Sequence, residues 1–289
     1  MNARLARLAC PVLLAMGLMS APAISAAATT SAALPPASPL VRTADGRLLA
    51  PDIARIVERG ELVIAMYQVD SPPFYVQKDG VMSGIDIELA QAIAGELGVT
   101  LRFDRSSSSV DAVVEMVGNG QADLGISRLG RTLRRSQMVL FSTPYLVLGH
   151  AMLIHRVRFA EKYGKQPLKE AMRNFEGPLG VMANTSWVEF ARRDFPAARL
   201  QPYPTWQALV DAVRRGEVLA AYRDELAVRE VLEQDPRLAL SLRTVTFTDA
   251  QTALSVMVGV RDGTLLAFVN EVIASRAGRR PPGDRRIKP

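Results

Sequence analysis

Residues 126–145 read ISRLGRTLRRSQMVLFSTPY, and we expect the rest of the chain to be organised around this stretch, which follows an apolar strand. Thr132 can cap a short helix or turn here, and the free amides at such a start favour an anion. Arg135 carries a planar fork of donors that matches a carboxylate with two hydrogen bonds. Together with Ser127 and the amides near Gly130, these groups would bind a small carboxylate. The alternative is that Arg134 and Arg135 are two solvated surface arginines.

Strands and helices alternate along the chain, which predicts an α/β fold with mainly parallel sheets. An amphipathic helix, a glycine and an apolar strand follow one another twice, and the two strands lie at residues 122–126 and 218–222. This similarity either reflects what any two αβ units share or marks two similar lobes that face each other.

Two such lobes would share a cleft, because ligands bind beyond the carboxyl ends of the strands in open α/β sheets. Aligning the repeats places Ser127 and Arg128 at the positions of Arg223 and Asp224. We therefore expect arginine on one side of the cleft and Asp224 on the other.

The first 28 residues predict a secretory signal peptide. Arg4 and Arg7 precede an apolar run that is too short to span a bilayer comfortably, and small residues follow it. The single cysteine, Cys10, lies inside the apolar run, so the exported chain would lack cysteine, which suits an oxidising compartment. The expected location is therefore the periplasm.

The overall composition is that of a globular protein. The chain has 289 residues, 48% hydrophobic and 22% charged, which is enough for two lobes with real cores. Its net charge of +6 stays mildly basic without the signal peptide, a weak hint of anionic ligands. The sequence contains no nucleic-acid motif and no metal-ligand cluster, so neither partner is expected. The leader at residues 29–50 and the basic tail at residues 276–289 are expected to be disordered.

Several short motifs, each weak alone, occur in an order and spacing that are fairly specific. They are GELVI at residues 60–64, SPPF at 71–74, GIDIELA at 84–90, Thr132 with Arg135 and FSTPY at 141–145, and Gly216 with Asp224. Over roughly residues 56–275 the chain therefore resembles the family 3 periplasmic solute-binding proteins, the polar amino-acid receptors of ABC importers.

The resemblance implies two similar α/β lobes with mainly parallel sheets, joined by a two-segment hinge, with the ligand cleft between them. Lobe 1 would comprise residues 51–148 and 252–275, and lobe 2 would comprise residues 149–251.

The resemblance also implies roles for individual residues. Arg135 would hold the α-carboxylate of the ligand, and Asp224 would hold its α-ammonium group. Thr185 and Ser186 match a pair of hydroxyl residues at a helix start in the second lobe. The loop that supplies backbone and small polar contacts corresponds to Ser127, Arg128 and Gly130.

Four positions depart from the family pattern, among them Arg131, which stands where an apolar residue is common. Ser71 and Val110 stand near places where the family often has aromatic side chains that cover the ligand. Arg128 stands where a small residue is common. It would bias the site towards ligands with a second acidic group, unless it bridges to Asp224 or turns to solvent.

We expect a monomeric, non-enzymatic binding protein without a cofactor. It would capture an amino acid or a similar small carboxylate by lobe closure and deliver it to the membrane subunits of an ABC importer. One alternative is a periplasmic enzyme similar to cyclohexadienyl dehydratase, in which Asp224 would serve as the acid. The other is a free-standing sensor or accessory binding protein.

Overall fold

The computed structural model describes residues 40–279 of the chain. The expected signal peptide at residues 1–28 lies outside the described residues, as do residues 29–39 of the leader and residues 280–289 of the tail. Within the described range, no helix is both long enough and apolar enough to cross a membrane.

Both ends of the described range are more regular than the sequence suggests. Val41–Arg42 and Leu48–Leu49 pair as a short antiparallel hairpin, so the expectation of disorder up to residue 50 is wrong for this part of the leader. At the other end, the last helix continues to Arg279 instead of giving way to the tail at residue 276.

Helices and strands alternate through the described residues, as the sequence predicts. The strands are β1 (Val41–Arg42), β2 (Leu48–Leu49), β3 (Glu61–Tyr67), β4 (Val76–Lys78), β5 (Val81–Ser83), β6 (Thr100–Ser107), β7 (Leu124–Gly125), β8 (Leu140–Phe141), β9 (Leu146–His155), β10 (Gly177–Met182), β11 (Ala198–Tyr203), β12 (Ala220–Asp224), β13 (Leu242–Leu254) and β14 (Met257–Val258). The helices are α1 (Pro51–Arg59), α2 (Ile85–Leu97), α3 (Val110–Gly118), α4 (Arg156–Tyr163), α5 (Leu168–Arg173), α6 (Ser186–Asp194), α7 (Trp206–Arg214), α8 (Glu225–Gln234) and α9 (Gly263–Arg279). Short 3₁₀ helices lie at Arg135–Gln137 and Pro236–Leu240.

The first lobe is built on a mixed five-stranded sheet with the order β6-β3-β7-β14-β8. Strands β6, β3 and β7 are parallel, and β14 runs antiparallel to β7 and β8. Successive residues of β3 point to opposite faces: Leu62 and Ile64 pack under α1, α2 and α9, whereas Val63 and Ala65 pack under α3. Because both faces are covered, β3 is apolar throughout its centre.

The second lobe repeats this plan with the order β11-β10-β12-β9-β13. Strands β11, β10 and β12 are parallel, and β9 runs antiparallel to β12 and β13. Helices α4, α5 and α6 cover one face with an aromatic-rich core that includes Phe175 and Phe190, and α7 and α8 cover the other. The two lobes therefore have separate cores.

Strands β9 and β13 carry the chain between the lobes. They pair from Leu146 beside Leu254 to His155 beside Leu242, with an irregularity between Thr246 and Gln251. The predicted fold class, two α/β lobes joined by two crossing segments, is confirmed.

Candidate functional site

A cleft of about 470 Å³ lies between the two lobes, at the carboxyl ends of their parallel strands. Residues that follow β7 face residues at the end of β12 across it, and the crossing strands form its back with Leu148, Thr252 and Leu254. All predicted site residues except Arg135 line this cleft. They are Ser71, Val110, Ser127, Arg128, Gly130, Thr185, Ser186 and Asp224.

The lobes contact each other beside the cleft, so the structure is a closed arrangement. The Thr132 hydroxyl donates a hydrogen bond to Glu189 Oε1 at 3.0 Å. The Asp111 backbone N–H donates to the Asn184 carbonyl at 3.2 Å. Each of these contacts joins a residue of the first lobe to one of the second.

Gly130 allows this close approach. A Cβ atom at this position would lie 2.9 Å from Ser186 Oγ and 3.1 Å from Thr252 Cγ2, which is tighter than ordinary van der Waals contact. The absence of a side chain at Gly130 is therefore a steric requirement of the closed arrangement.

Arg135, the expected carboxylate anchor, does not face the cleft. It is only 1% exposed, and its Nη2 and Nε donate to Asp111 Oδ1 at 2.8 and 3.2 Å while Nη1 donates to the Gly130 carbonyl at 2.9 Å. Burial lowers the pKa of the Arg135 guanidinium, and the charge of Asp111 opposes this shift. Because its three donor groups are all bound within the protein, Arg135 holds the loop at Gly130 in place. The surface alternative is wrong for Arg135 but holds for Arg134, whose side chain is 56% exposed, and the anchor role of Arg135 stays a prediction that its pairing with Asp111 disfavours.

Thr132 and Asp111 explain this placement. The Arg135 backbone N–H donates to Thr132 Oγ1 at 3.2 Å, so Thr132 caps the 3₁₀ turn as the sequence predicted. Asp111 lies in the first turn of α3 and also accepts a hydrogen bond from Arg134 Nη1 at 2.9 Å. An acidic residue next to Val110, at a predicted helix start, was the signal in the sequence that Arg135 has a partner within the protein.

Arg128 is the arginine that enters the cleft from the first lobe. Its Nη1 donates to Ser71 Oγ at 3.0 Å, and its Nη2 donates across the cleft to Asp224 Oδ1. The guanidinium lies over the Phe74 ring, 4.5 Å from the ring centroid, a cation–π arrangement. Of the alternatives left open by the sequence, the bridge to Asp224 is the one that the structure contains.

Asp86 holds the backbone that presents Arg128. The Arg128 backbone N–H donates to Asp86 Oδ2 at 2.7 Å, and the Tyr145 hydroxyl donates to Asp86 Oδ1 at 2.8 Å. Arg128 has a positive φ of 52°, which a bulky residue rarely adopts without such support. Because Asp86 is fully buried, its pKa is raised to about 7. The GIDIELA and FSTPY motifs therefore meet at this carboxyl group, behind the cleft wall.

Asp224 is already neutralised by arginine. Its side chain is 1% exposed, it caps α8 by accepting from the Ala227 N–H at 3.0 Å, and Arg223 Nε lies 3.5 Å from its Oδ2. Burial alone would raise the pKa of Asp224, but the Arg128 and Arg223 charges outweigh it and hold that pKa below its usual value. The carboxylate is ionised, and a ligand ammonium would find it occupied.

Arg223 is the functional candidate that the sequence reasoning missed. Its side chain is 13% exposed and lies over the Trp206 ring, 4.9 Å from the centroid, and both residues line the cleft. Within residues 40–279, its buried Nε has no hydrogen-bond partner. Burial and the nearby Arg128 charge lower the pKa of Arg223 to about 10. The repeat alignment, which paired Arg223 with Ser127 at a strand end, was the available signal.

The predicted hydroxyl residues are partly used by the backbone. Thr185 accepts from the Trp187 N–H at 3.3 Å as the cap of α6 and donates to the Met182 carbonyl at 2.8 Å. Ser127 accepts from the Tyr67 N–H at 3.0 Å. These contacts fix the positions of the side chains and make this part of the wall polar but uncharged.

A buried histidine lies directly behind the cleft. His150 Nε2 is 2.6 Å from the Thr252 hydroxyl, its Nδ1 contacts the Tyr222 hydroxyl, and that hydroxyl donates to Asp194 Oδ2 at 2.7 Å. Burial lowers the pKa of His150 to about 4, so the ring is neutral at pH 7. The histidine therefore ties β9 to β12 and β13. In the described part of the chain, no cluster of three or more potential ligand residues could hold a metal ion.

Comparisons with known proteins agree with this architecture. Residues 62–276 match the family described as bacterial extracellular solute-binding proteins, family 3. The chain is 24% identical to the L-cystine-binding protein TcyJ of Escherichia coli (strain K12) over 222 residues, which cover 76% of this chain and 79% of that protein.

Solved structures show the same fold. The amino-acid ABC transporter substrate-binding protein AbpA of Streptococcus pneumoniae, bound to L-arginine, matches with a TM-score of 0.61 and 26% identity over 78% of this chain and 92% of that one. An ancestral amino acid-binding protein described as a precursor of cyclohexadienyl dehydratase matches with a TM-score of 0.63 and 23% identity over 78% and 93%. The family match covers most of the chain, and it confirms the resemblance seen in the motifs. The chain therefore belongs to the bacterial extracellular solute-binding proteins of family 3.

Proposed function

We propose that this protein is exported to the periplasm, where it captures a small carboxylate-bearing solute, an amino acid or a related acid, for an ABC importer. The observation that carries the proposal is a cleft of about 470 Å³ between the lobes, into which Arg128 and Asp224 bring opposite charges from opposite sides. Solute sites are concave, largely preformed and equipped with a few placed polar groups, as this cleft is. The amino-acid-binding proteins among its relatives support the same reading.

Lobe closure is the mechanism that this geometry favours. The lobes have separate cores and are connected by β9 and β13, so rotation about these strands would open the cleft without disturbing either core. A solute that contacts both lobes would then favour the closed arrangement. Closure removes water from the cleft and strengthens each charged hydrogen bond within it.

The enzyme alternative has less support from the site. A dehydratase needs a positioned acid, and the candidate was Asp224. The arginine charges hold the pKa of Asp224 below its usual value, so this carboxyl group does not carry a proton to donate at pH 7. The described residues that line the cleft include no histidine, since His150 lies behind the wall. We therefore propose binding without catalysis.

Native mass spectrometry of the protein, exported and purified without added ligand, tests the binding role. We expect a small-molecule adduct that is released on unfolding. Ser186→Trp fills the point where Gly130 approaches the second lobe and should purify without the adduct. Arg229→Gln, which changes an exposed arginine outside the cleft, should keep it. Absence of any adduct, together with no thermal shift from amino, hydroxy or oxo acids, would overturn the proposal.

A further inference from the structure

The charges of this cleft do not suit a zwitterion. An α-amino acid needs a donor fork for its carboxylate and a free carboxylate for its ammonium group. Here the Arg135 fork is bound to Asp111 and the Gly130 carbonyl, and the Asp224 carboxylate is bound to Arg128. An ammonium group could reach Asp224 only by displacing a guanidinium that is already in contact with it.

In contrast to Asp224, the Arg223 side chain would gain from an additional anionic partner. Its side chain is 13% exposed, and in the part of the chain that the structure describes its Nε, the donor next to Asp224, makes no hydrogen bond. Its contact with Asp224 is a charge contact of 3.5 Å, and Glu230 adds a weaker attraction. A buried charged group without hydrogen bonds is costly, and an anion in the cleft would supply them at the Nη groups, since Nε itself is buried.

Arg223 shares its nearest carboxylate with another arginine, although Glu230 and Asp235 also line the cleft. Two guanidinium groups, those of Arg128 and Arg223, share the single carboxylate of Asp224. The Trp206 ring holds Arg223 from one side, which leaves the edge of the guanidinium plane for a bidentate partner. A carboxylate fits that edge and would give Arg223 a charge partner that it does not share with Arg128.

We propose, on the basis of the binding function above, that Arg223 is the anion anchor of this cleft and that the cleft selects small carboxylates without an ammonium group over amino acids. The rest of the wall fits such ligands. It combines the Ser71, Thr185 and Ser186 hydroxyl groups with the apolar side chains of Leu148 and Trp187. A 2-hydroxy acid would place its carboxylate on Arg223 and its hydroxyl group among neutral partners.

Matched pairs of ligands test the selectivity by calorimetric titration. L-malate and L-aspartate, L-lactate and L-alanine, and L-3-phenyllactate and L-phenylalanine differ only in a hydroxyl group that replaces the ammonium group. We expect the hydroxy acid of at least one pair to bind more than tenfold more tightly than its amino acid. Arg223→Gln keeps most of the stacking surface on Trp206 but removes the charge, and should weaken that binding about a hundredfold. Arg223→Lys should recover part of it.

Arg229→Gln is the matched control, since Arg229 lies on α8 outside the cleft and pairs with Glu233 on the surface. It should bind like the unchanged protein, and circular dichroism should show that all three variants are folded. Amino acids that bind as tightly as their hydroxy partners, or full binding of the hydroxy acid by Arg223→Gln, would overturn the selectivity while leaving the binding function intact. No binding in either series, with no adduct in native mass spectrometry, would overturn both.

Discussion

Replacing Arg135 by alanine is expected to harm folding far more than ligand binding. The change removes two charged hydrogen bonds to Asp111 and one to the Gly130 carbonyl, and it leaves a cavity where a 1% exposed side chain was packed. Asp111 keeps its bond to Arg134, so the remaining carboxylate is not stranded. Breaking a buried ion pair by removing one partner typically costs about 3–5 kcal/mol, and we expect the lower end here.

This loss translates into a measurable shift of the melting temperature. In a domain of this size 1 kcal/mol corresponds to roughly 2–4 °C, so a loss of about 3 kcal/mol lowers Tm by roughly 6–12 °C. Arg135→Lys should lower Tm less than Arg135→Ala does. Its Tm should still lie below that of the unchanged protein, because one ammonium group cannot bind both Asp111 and the Gly130 carbonyl.

Urea unfolding and calorimetric titration of the same samples separate the two effects. Arg134→Ala is the control: its side chain is 56% exposed, and losing its single bond to Asp111 should cost less than about 1 kcal/mol. If Arg135→Ala unfolds at the same urea concentration as the unchanged protein yet loses ligand affinity, the structural role is refuted. Arg135 would then have to turn into the cleft when ligand is bound.

Three further changes probe the loop and the cleft. Burial raises the pKa of Asp86 from 3.8 to about 7, so the folded protein holds a proton that the unfolded chain releases. Stability should therefore fall as the pH rises from about 4 to about 7, and Asp86→Asn should flatten this slope in urea midpoints measured across the window. Gly130→Ala brings a Cβ atom within 2.9 Å of Ser186 Oγ. Overpacking of this kind costs about 1–3 kcal/mol, and this cost destabilises only the closed arrangement, in which the two lobes touch. Ligand affinity should drop while Tm stays nearly constant, and the radius of gyration with ligand should exceed that of the unchanged protein. Arg128→Ser frees Asp224 for an ammonium group, so L-aspartate should gain about tenfold in affinity relative to L-malate; an unchanged ratio in titration would show that Arg128 does not block that carboxylate.

Local patterns in the sequence were sufficient for most elements of the fold. Helix α2 could be predicted from its apolar spacing and from Gly98, which ends it in a left-handed conformation. The position of Gly84 follows from close packing, because a Cβ atom there would collide with the Phe74 carbonyl. The length of β13 could not be predicted, because pairing with β9 on both sides of the irregularity between Thr246 and Gln251 joins two stretches that polar residues separate in the sequence.

The candidate site was less accessible to sequence reasoning, for a physical reason. A motif places an arginine on a loop but does not decide which carboxylate its side chain reaches. Arg135 and Arg128 are seven positions apart on one loop, yet one turns to Asp111 in its own lobe and the other crosses to Asp224. That choice depends on the positive φ at Arg128 and on its support by Asp86, both of which require the packed structure.

The contact of Arg128 with Asp224 makes the protein an internal competitor of any cationic ligand. A tethered guanidinium is present at the carboxylate at a high effective concentration, so an incoming cation must outcompete it however abundant that cation is outside. The same contact joins the lobes by side chains of the protein alone, so it does not itself require a ligand. A membrane partner that recognised the distance between the lobes would engage empty molecules as well as loaded ones. If the protein delivers its ligand to such a partner, as we propose, the partner would have to recognise a surface that changes with the contents of the cleft.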